Sequence, residues 1–148
     1  KEGSIPFKRC CRFFLHTFSR FYQDGDFEQL LSGADYIIDA IDMVSAKLSL
    51  IQCAVNQGVP IISAMGCGGR LNPGLFKIAD IYSTSICPLC RVMRRELKKR
   101  GVPALKVVYS LEEPVKAAQR GAIGSISFVP PAAGLMLAGQ AIRDIIGL

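Results

Sequence analysis

The chain has 148 residues, half of them hydrophobic, with a net charge of +6 and a positive mean hydropathy. That length is enough for one domain with its own core, and the apolar content excludes a disordered tail. The charge is local: from Arg91 to Arg100 six basic residues stand against one acid, Glu96, a net of +5, so the rest of the chain is nearly neutral. A concentrated basic stretch suits phosphate groups, RNA above all, although a solvated outer helix face produces the same pattern.

Residues 1–20, with the stretch RCCRFFLHTFSRF and the one histidine, His16, show no clear strand or helix periodicity. They read as a diverged or poorly ordered segment, and a lone histidine without acidic or cysteine partners reads as structural. The opening KEGSIPFKRCC has no sustained apolar core before a small-residue cleavage site, so a cytoplasmic, reducing setting is expected. The six cysteines, Cys10, Cys11, Cys53, Cys67, Cys87 and Cys90, then read as thiols. Asp24-Gly25-Asp26 reads as a turn, and Phe27–Leu31 as a short helix capped by Asp26.

The most informative stretch is Asp35–Asp42, DYIIDAID. Its apolar run, Tyr36 to Ile38, is a strand that ends in two aspartates, Asp39 and Asp42. A helix over Ser45–Gln57 follows, with Leu48, Ile51 and Val55 at spacings of three and four and Gly58 placed to close it. Val59–Ala64 is the second strand. The unit is βαβ, long enough for a parallel, right-handed crossover. Its carboxylates sit at the strand's carboxyl edge, where open parallel sheets hold ligands. A carboxylate there points to a metal on a phosphorylated ligand. The alternative for Asp39 is that it only caps the turn into the helix.

Met65–Gly69 (MGCGG) leaves the second strand; its glycines permit close approach to a phosphate, but no helix opens directly behind them. Arg70–Gly74 reads as a turn, Phe76–Tyr82 as a half-exposed strand, and Leu89–Arg100 as a helix entered through Pro88 and stopped by Gly101. Leu89, Val92, Met93 and Leu97 are its expected buried stripe. Leu105–Ser110 is another strand, Glu112–Gly121 a polar mobile stretch, AIGSISFVPP a last strand or extended segment, and Ala132–Gly147 a last helix. The apolar run Phe128–Gly139 is shorter than the ~20 residues of a membrane span, so a buried terminal helix is expected and no stable membrane insertion. Cys87-Pro88-Leu89-Cys90 is a CxxC at a helix start, where a thiol becomes more acidic. It stays open between incidental thiols, zinc and redox work; no second CxxC completes a zinc site, and adjacent Cys10-Cys11 chelate poorly.

Several elements in order, DAID, the KxxLI helix, PIISAMGxG, LNP, ADIY.TS, CPL.RVMRRELKKRG, VVYS.EEP and GSISFVPPAAGLMLAGQAI, resemble the tRNA threonylcarbamoyladenosine dehydratases, ThiF/MoeB-like members of the ubiquitin-activating-enzyme-like superfamily. The resemblance covers about residues 21–148. It implies an α/β fold: a Rossmann-like mixed sheet with flanking helices, incomplete at the N-terminus, with 21–148 as the C-terminal part of a ThiF-like nucleotide-binding domain. It implies ATP-dependent chemistry, in which a threonyl carboxylate on a tRNA adenosine is adenylated and then attacked within the same side chain, closing a ring and releasing AMP. Asp42 falls on the superfamily aspartate that handles Mg²⁺ and the ATP phosphates, which makes it the expected catalytic and metal-binding residue. Asp39 falls on the strand-end position before it and is expected at the cofactor. Lys47 matches a lysine usual in this branch, without an assigned role. Arg91, Arg94, Arg95, Lys98, Lys99 and Arg100 match a region suited to tRNA. The family is dimeric, so a homodimer is expected.

The superfamily's opening strand, its GxGGVGS-type turn, the acidic residue for the ribose, and the Arg and Lys groups on the phosphates have no counterpart before Phe21. The expectation is therefore a chain that does not adenylate alone. Two other readings stay open: an adenylyltransferase activating a ubiquitin-like sulfur carrier, which the absent second CxxC pair disfavours, and a non-enzymatic remnant that binds RNA or a protein through Arg91–Arg100.

Overall fold

A computed structural model describes residues 26–115 and 124–148. Expectations for the N-terminal segment, His16, Cys10, Cys11 and the Asp24-Gly25 turn, and for part of Glu112–Gly121, lie outside the described residues. Four helices and four strands are present among the described residues: α1 (Asp26–Leu30), β1 (Ile37–Asp39), α2 (Val44–Gln57), β2 (Ile61–Ala64), β3 (Phe76–Asp80), α3 (Pro88–Lys99), β4 (Lys106–Ser110) and α4 (Val129–Ile146). The sheet order is β1-β2-β4-β3. β1, β2 and β4 run parallel, with Ile38 opposite Ile62 and Ser63 opposite Val107. β3 is antiparallel to β4, Ile78 opposite Val108, which makes the sheet mixed.

Strand periodicity divides the core. Val107 and Tyr109 of β4 face one way and pack with Leu48 and Ile51 of α2 and Cys90, Met93 and Leu97 of α3. Ile62 and Val108 face the other way and meet Val129, Ala133 and Leu137 of α4. A third cluster joins Phe27 and Leu31 to Ile37, Leu50 and Ala54. Helices therefore cover both faces, as parallel strands require.

Local chemistry explains the boundaries. α2 stops at Gly58, which takes φ +68° and donates its N–H to Val55 while Val59 N–H reaches Ala54 O. β3 is cut two residues short of its expected end because the Asp80 carboxylate accepts the Tyr82 N–H and turns the chain into one 3-10 turn, Ile81–Ser83. α3 starts at Pro88, where the missing N–H has no helical partner to lose.

Two expectations are corrected. Val92 is 38% exposed, and Cys90, fully buried, takes its place in the α3 stripe with Met93 and Leu97. The phase of a helix beginning at Pro88 puts 90, 93 and 97 on one side, and a thiol is small and apolar enough to sit there. The last extended segment is not a strand among the described residues: α4 begins at Val129, three residues early, with both prolines inside its first turn. Nor is α4 wholly buried. Val129, Ala133, Leu137 and Ala141 form its inner row, while Leu135, Ile142 and Ile146 stay exposed on another face. No helix among the described residues is long and apolar enough to cross a membrane.

Candidate functional site

The carboxyl ends of β1, β2 and β4 open onto one cleft of about 520 Å³, lined by Asp42, Gly66, Cys67, Gly68, Arg70, Cys87, Pro88, Leu89, Pro114 and Ser125. A smaller adjoining space of about 280 Å³ shares Asp42 and the Gly66–Gly68 loop and reaches Ala133 and Leu137 on α4. Asp42 belongs to the loop between β1 and α2 and is exposed. Its carboxylate therefore stands at the sheet edge where the sequence pattern places a ligand.

Asp39, expected at the cofactor, is not brought to the cleft. It is fully buried, and its Oδ2 takes 2.6 Å contacts from both the Lys47 ammonium and the Ser63 hydroxyl. Its Oδ1 accepts the Ile41 N–H at 3.0 Å. Nor does it cap α2: the N-cap is Met43, without a side-chain bond. Lys47 uses all three protons, on Asp39, on Ser63 Oγ at 3.1 Å and on Ala64 O at 2.9 Å. This buried pair ties the end of β1 to the end of β2 and to the first turns of α2. It shapes the loop that carries Asp42 from below, and it is the role that sequence reasoning left blank for Lys47.

Arg70 is a residue that sequence reasoning passed over as part of a turn. Only 2% of it is exposed, it lines the cleft, and its Nε and Nη1 have no hydrogen-bond partner among the described residues. Its backbone is held by neighbours. Glu112 accepts the Leu71 and Asn72 N–H groups at 2.9–3.1 Å, and Asn72 caps the 3-10 turn Pro73–Leu75 through the Gly74 N–H. Gly69, at φ +68°, donates to Gly124 O and accepts from Val115 N; a Cβ there would lie 3.1 Å from Val115 O, so only glycine fits without a shift. A lone basic residue directly behind a glycine-rich loop was the available signal.

Cys87 and Cys90 are buried free thiols, and no group of three or more metal-ligating side chains occurs among the described residues. Cys87 is pushed down to about 5 because Cys90 donates its S–H toward it and the backbone N–H groups of Cys90, Gly66 and Leu89 face the sulfur. None of these makes a full cap bond to α3. Cys90 is raised, first by that same hydrogen bond and then by burial. Cys67 is raised by burial. Ile86, just before Cys87, holds φ +62° while the Cys87 N–H reaches back to Ser85 O. A β-branched residue in that region is strained.

The basic residues of α3 divide. Arg94 is partly buried and donates to the Thr84 carbonyl and hydroxyl, which ties it to the fold. Arg95 and Lys99 pair with Glu96 at 3.0 and 3.2 Å. Arg91, Lys98 and Arg100 are exposed and form no ion pair among the described residues. The structure leaves Arg94 the least available of the six for an outside partner.

Comparison with known proteins bears on this arrangement. The dehydratase of Bacillus subtilis, "tRNA threonylcarbamoyladenosine dehydratase", is 32% identical over 144 residues, which cover 85% of this chain and 57% of that protein. The Saccharomyces cerevisiae "tRNA threonylcarbamoyladenosine dehydratase 2" is 39% identical over 94 residues, 62% of this chain and 21% of that one. The chain thus spans little more than half of the first relative and a fifth of the second. The crystal structure of the Escherichia coli dehydratase TcdA in complex with AMP superposes with a TM-score of 0.80 at 25% identity, over 88% of this chain and 56% of that one. The same protein crystallised with ATP shares the fold, with a TM-score of 0.78. The sequence model of the ThiF family matches residues 13–148, and with that match over nine-tenths of its length this chain belongs to the ThiF family.

Proposed function

We propose that this chain is the part of a tRNA threonylcarbamoyladenosine dehydratase that presents the Asp42 carboxylate to a magnesium-loaded adenine nucleotide. One observation carries the reading: in a ThiF-family chain, Asp42 is exposed on a cleft at the carboxyl edge of the parallel strands, while Asp39, three residues earlier, is buried and neutralised by Lys47. The similarity to dehydratases, one of them crystallised with AMP, supplies the substrate class.

The donor set fits the metal. Mg²⁺ is commonly held through one or two carboxylates, with phosphates and waters completing its shell. Asp42 is the one carboxylate among the described residues that line the cleft, which matches that demand. Asp42 would hold the Mg²⁺, and bound Mg²⁺ with ATP would supply an electrophilic phosphorus and charge neutralisation there. The chain's own residues orient. The Lys47–Asp39 pair fixes the Asp42 loop, and the Gly66–Gly69 loop lets backbone approach the cleft closely. Adenylation would turn a carboxylate, a poor electrophile with no good leaving group, into an activated carbonyl that a group of the same side chain can attack, closing the ring and releasing AMP. Arg91 and Lys98 on α3 and Arg100 at its C-cap, exposed and without an ion pair among the described residues, are the cations offered to tRNA phosphates.

Thermal unfolding of the purified chain with Mg²⁺ and AMP or ATP tests the reading. Magnesium-dependent stabilisation is expected for the native chain and absent for Asp42→Asn; equal stabilisation of both overturns it. The same reading expects self-association, with the exposed apolar face of α4 as the surface; a monodisperse monomer in size-exclusion chromatography counts against the dimer.

A further inference from the structure

We infer that Arg70 forms an oxyanion subsite in the wall of the Asp42 cleft, one that takes a carboxylate or phosphate oxygen pair directly, without a metal. This deepens the nucleotide reading of the same cleft and rests on it only for the source of the anion.

Three observations carry it. First, Arg70 is the largest side chain that is almost completely buried, and two of its nitrogens find no partner among the described residues. A guanidinium does not lose its proton in a protein, so it cannot escape the cost of burial by turning neutral. An unpaired buried cation is among the most unfavourable arrangements a fold can hold. Second, the residue that carries these nitrogens lines a cleft of about 520 Å³, so its buried charge borders space that an outside group can enter. Third, the backbone around Arg70 is held tightly. Glu112 binds the two N–H groups that follow it, and Gly69 is bonded to Val115 and Gly124. Glu112 spends both carboxylate oxygens on backbone N–H groups.

A guanidinium offers two forks to a carboxylate or phosphate, Nε with Nη2 and Nη1 with Nη2, and each unpaired nitrogen of Arg70 belongs to one of them. The opposite charge, Asp42, lines the same cleft. A ligand with a metal-bound phosphate at one end and a bare oxyanion at the other satisfies both. Arg70 lines the same cleft as Gly66, Cys67 and Gly68. Two sources present this chemistry: the nucleotide's phosphates, and the threonyl carboxylate of the modified adenosine.

The test is thermal unfolding of the full chain and two variants, Arg70→Met and Arg70→Lys, in EDTA, with inorganic pyrophosphate or with threonylcarbamoyladenosine nucleoside as probe. At ten times its dissociation constant an anion that binds only the folded chain changes the folded-to-unfolded ratio about 11-fold, a midpoint rise of roughly 3–5 °C. The native chain is expected to show that rise with at least one probe. Arg70→Met is expected to lose it while melting, without anion, at or above the native temperature, because an uncompensated charge has been removed. Arg70→Lys is expected to bind at least fivefold more weakly, since a point charge cannot reproduce the fork. A rise with pyrophosphate alone assigns the subsite to nucleotide phosphate, and a rise with the nucleoside alone assigns it to the RNA carboxylate. The inference is overturned if no probe raises the native midpoint, or if Arg70→Met keeps the rise. It also falls if Arg70→Met fails to fold while Arg70→Lys responds as the native chain does. Asp42→Asn separates the two proposals: it removes magnesium-dependent stabilisation and leaves the EDTA-resistant rise in place.

Discussion

Lys47→Met removes the ammonium that neutralises Asp39 while keeping most of the side chain's apolar volume. Three acceptors lose their donor at once: Asp39 Oδ2 at 2.6 Å, Ser63 Oγ at 3.1 Å and Ala64 O at 2.9 Å. Both members of the ion pair are sealed from water, at 1% and 0% exposure, so solvent cannot replace what is lost. Breaking a buried pair from one side costs about 3–5 kcal/mol, because a lone charge remains. Asp39 keeps the Ser63 hydroxyl and the Ile41 N–H, which argues for the lower half of that range. Against a total stability of ~5–15 kcal/mol this is severe, and with a urea slope near ~2 kcal/mol per M the midpoint falls by about 1.5–2 M. Urea unfolding followed by far-UV circular dichroism at pH 7 measures it. Lys47→Met combined with Asp39→Leu is expected to recover at least half of the loss, since removing both charges leaves no orphaned charge. A single-variant loss below about 1 kcal/mol, or a double variant no better than the single one, refutes the reasoning.

Three further outcomes follow from groups described above. Ile86→Gly is expected to raise stability by about 1 kcal/mol in the same urea assay, because φ +62° strains an isoleucine and not a glycine, provided its 46% exposed side chain contributes little packing. Asp144 is held down to about 2, first by Lys106 and then by Tyr36, so its contribution is complete above the ordinary carboxylate range and is lost as pH falls from about 4 towards 2. The pair is partly exposed and screened, so Asp144→Asn should flatten that acid limb by less than about 1 kcal/mol, read from urea midpoints across the pH range. Cys90→Ala removes the S–H that lowers Cys87, so the pH at which Cys87 gains its thiolate should rise from about 5 towards the ordinary range, seen by alkylation and peptide mass spectrometry. An unchanged profile would mean that backbone N–H groups alone set it.

The βαβ unit was legible because each of its signals is local. Ile37–Ile38 and Ile61–Ile62 are apolar runs, Leu48 and Ile51 keep a helical period, and Gly58 stops the helix where a left-handed residue is needed. Asp42 was legible from position alone, since strand ends in such sheets face ligands. The Asp39–Lys47 pair was not. Two charges eight residues apart meet only because β1 and the first turns of α2 converge there, and Ser63 joins them through strand register. Arg70 was hidden for a related reason: nothing in GGRLNPG tells whether an arginine turns out to water or in to a cleft. The Cys90 correction shows that a cysteine, counted as chemistry in a CxxC, serves also as core. The six basic residues of Arg91–Arg100 formed one feature in the sequence, but Thr84 and Glu96 divide them in space.

Gly69 binds Val115 with its carbonyl and Gly124 with its amide, at 2.7 and 2.8 Å. Both stems that flank residues 116–123 are thus knotted to one point on the cleft wall. The cleft wall that carries Arg70 is therefore braced by backbone bonds to chain far downstream in sequence, so its shape is set by the tertiary fold and not by the Gly66–Gly69 loop alone.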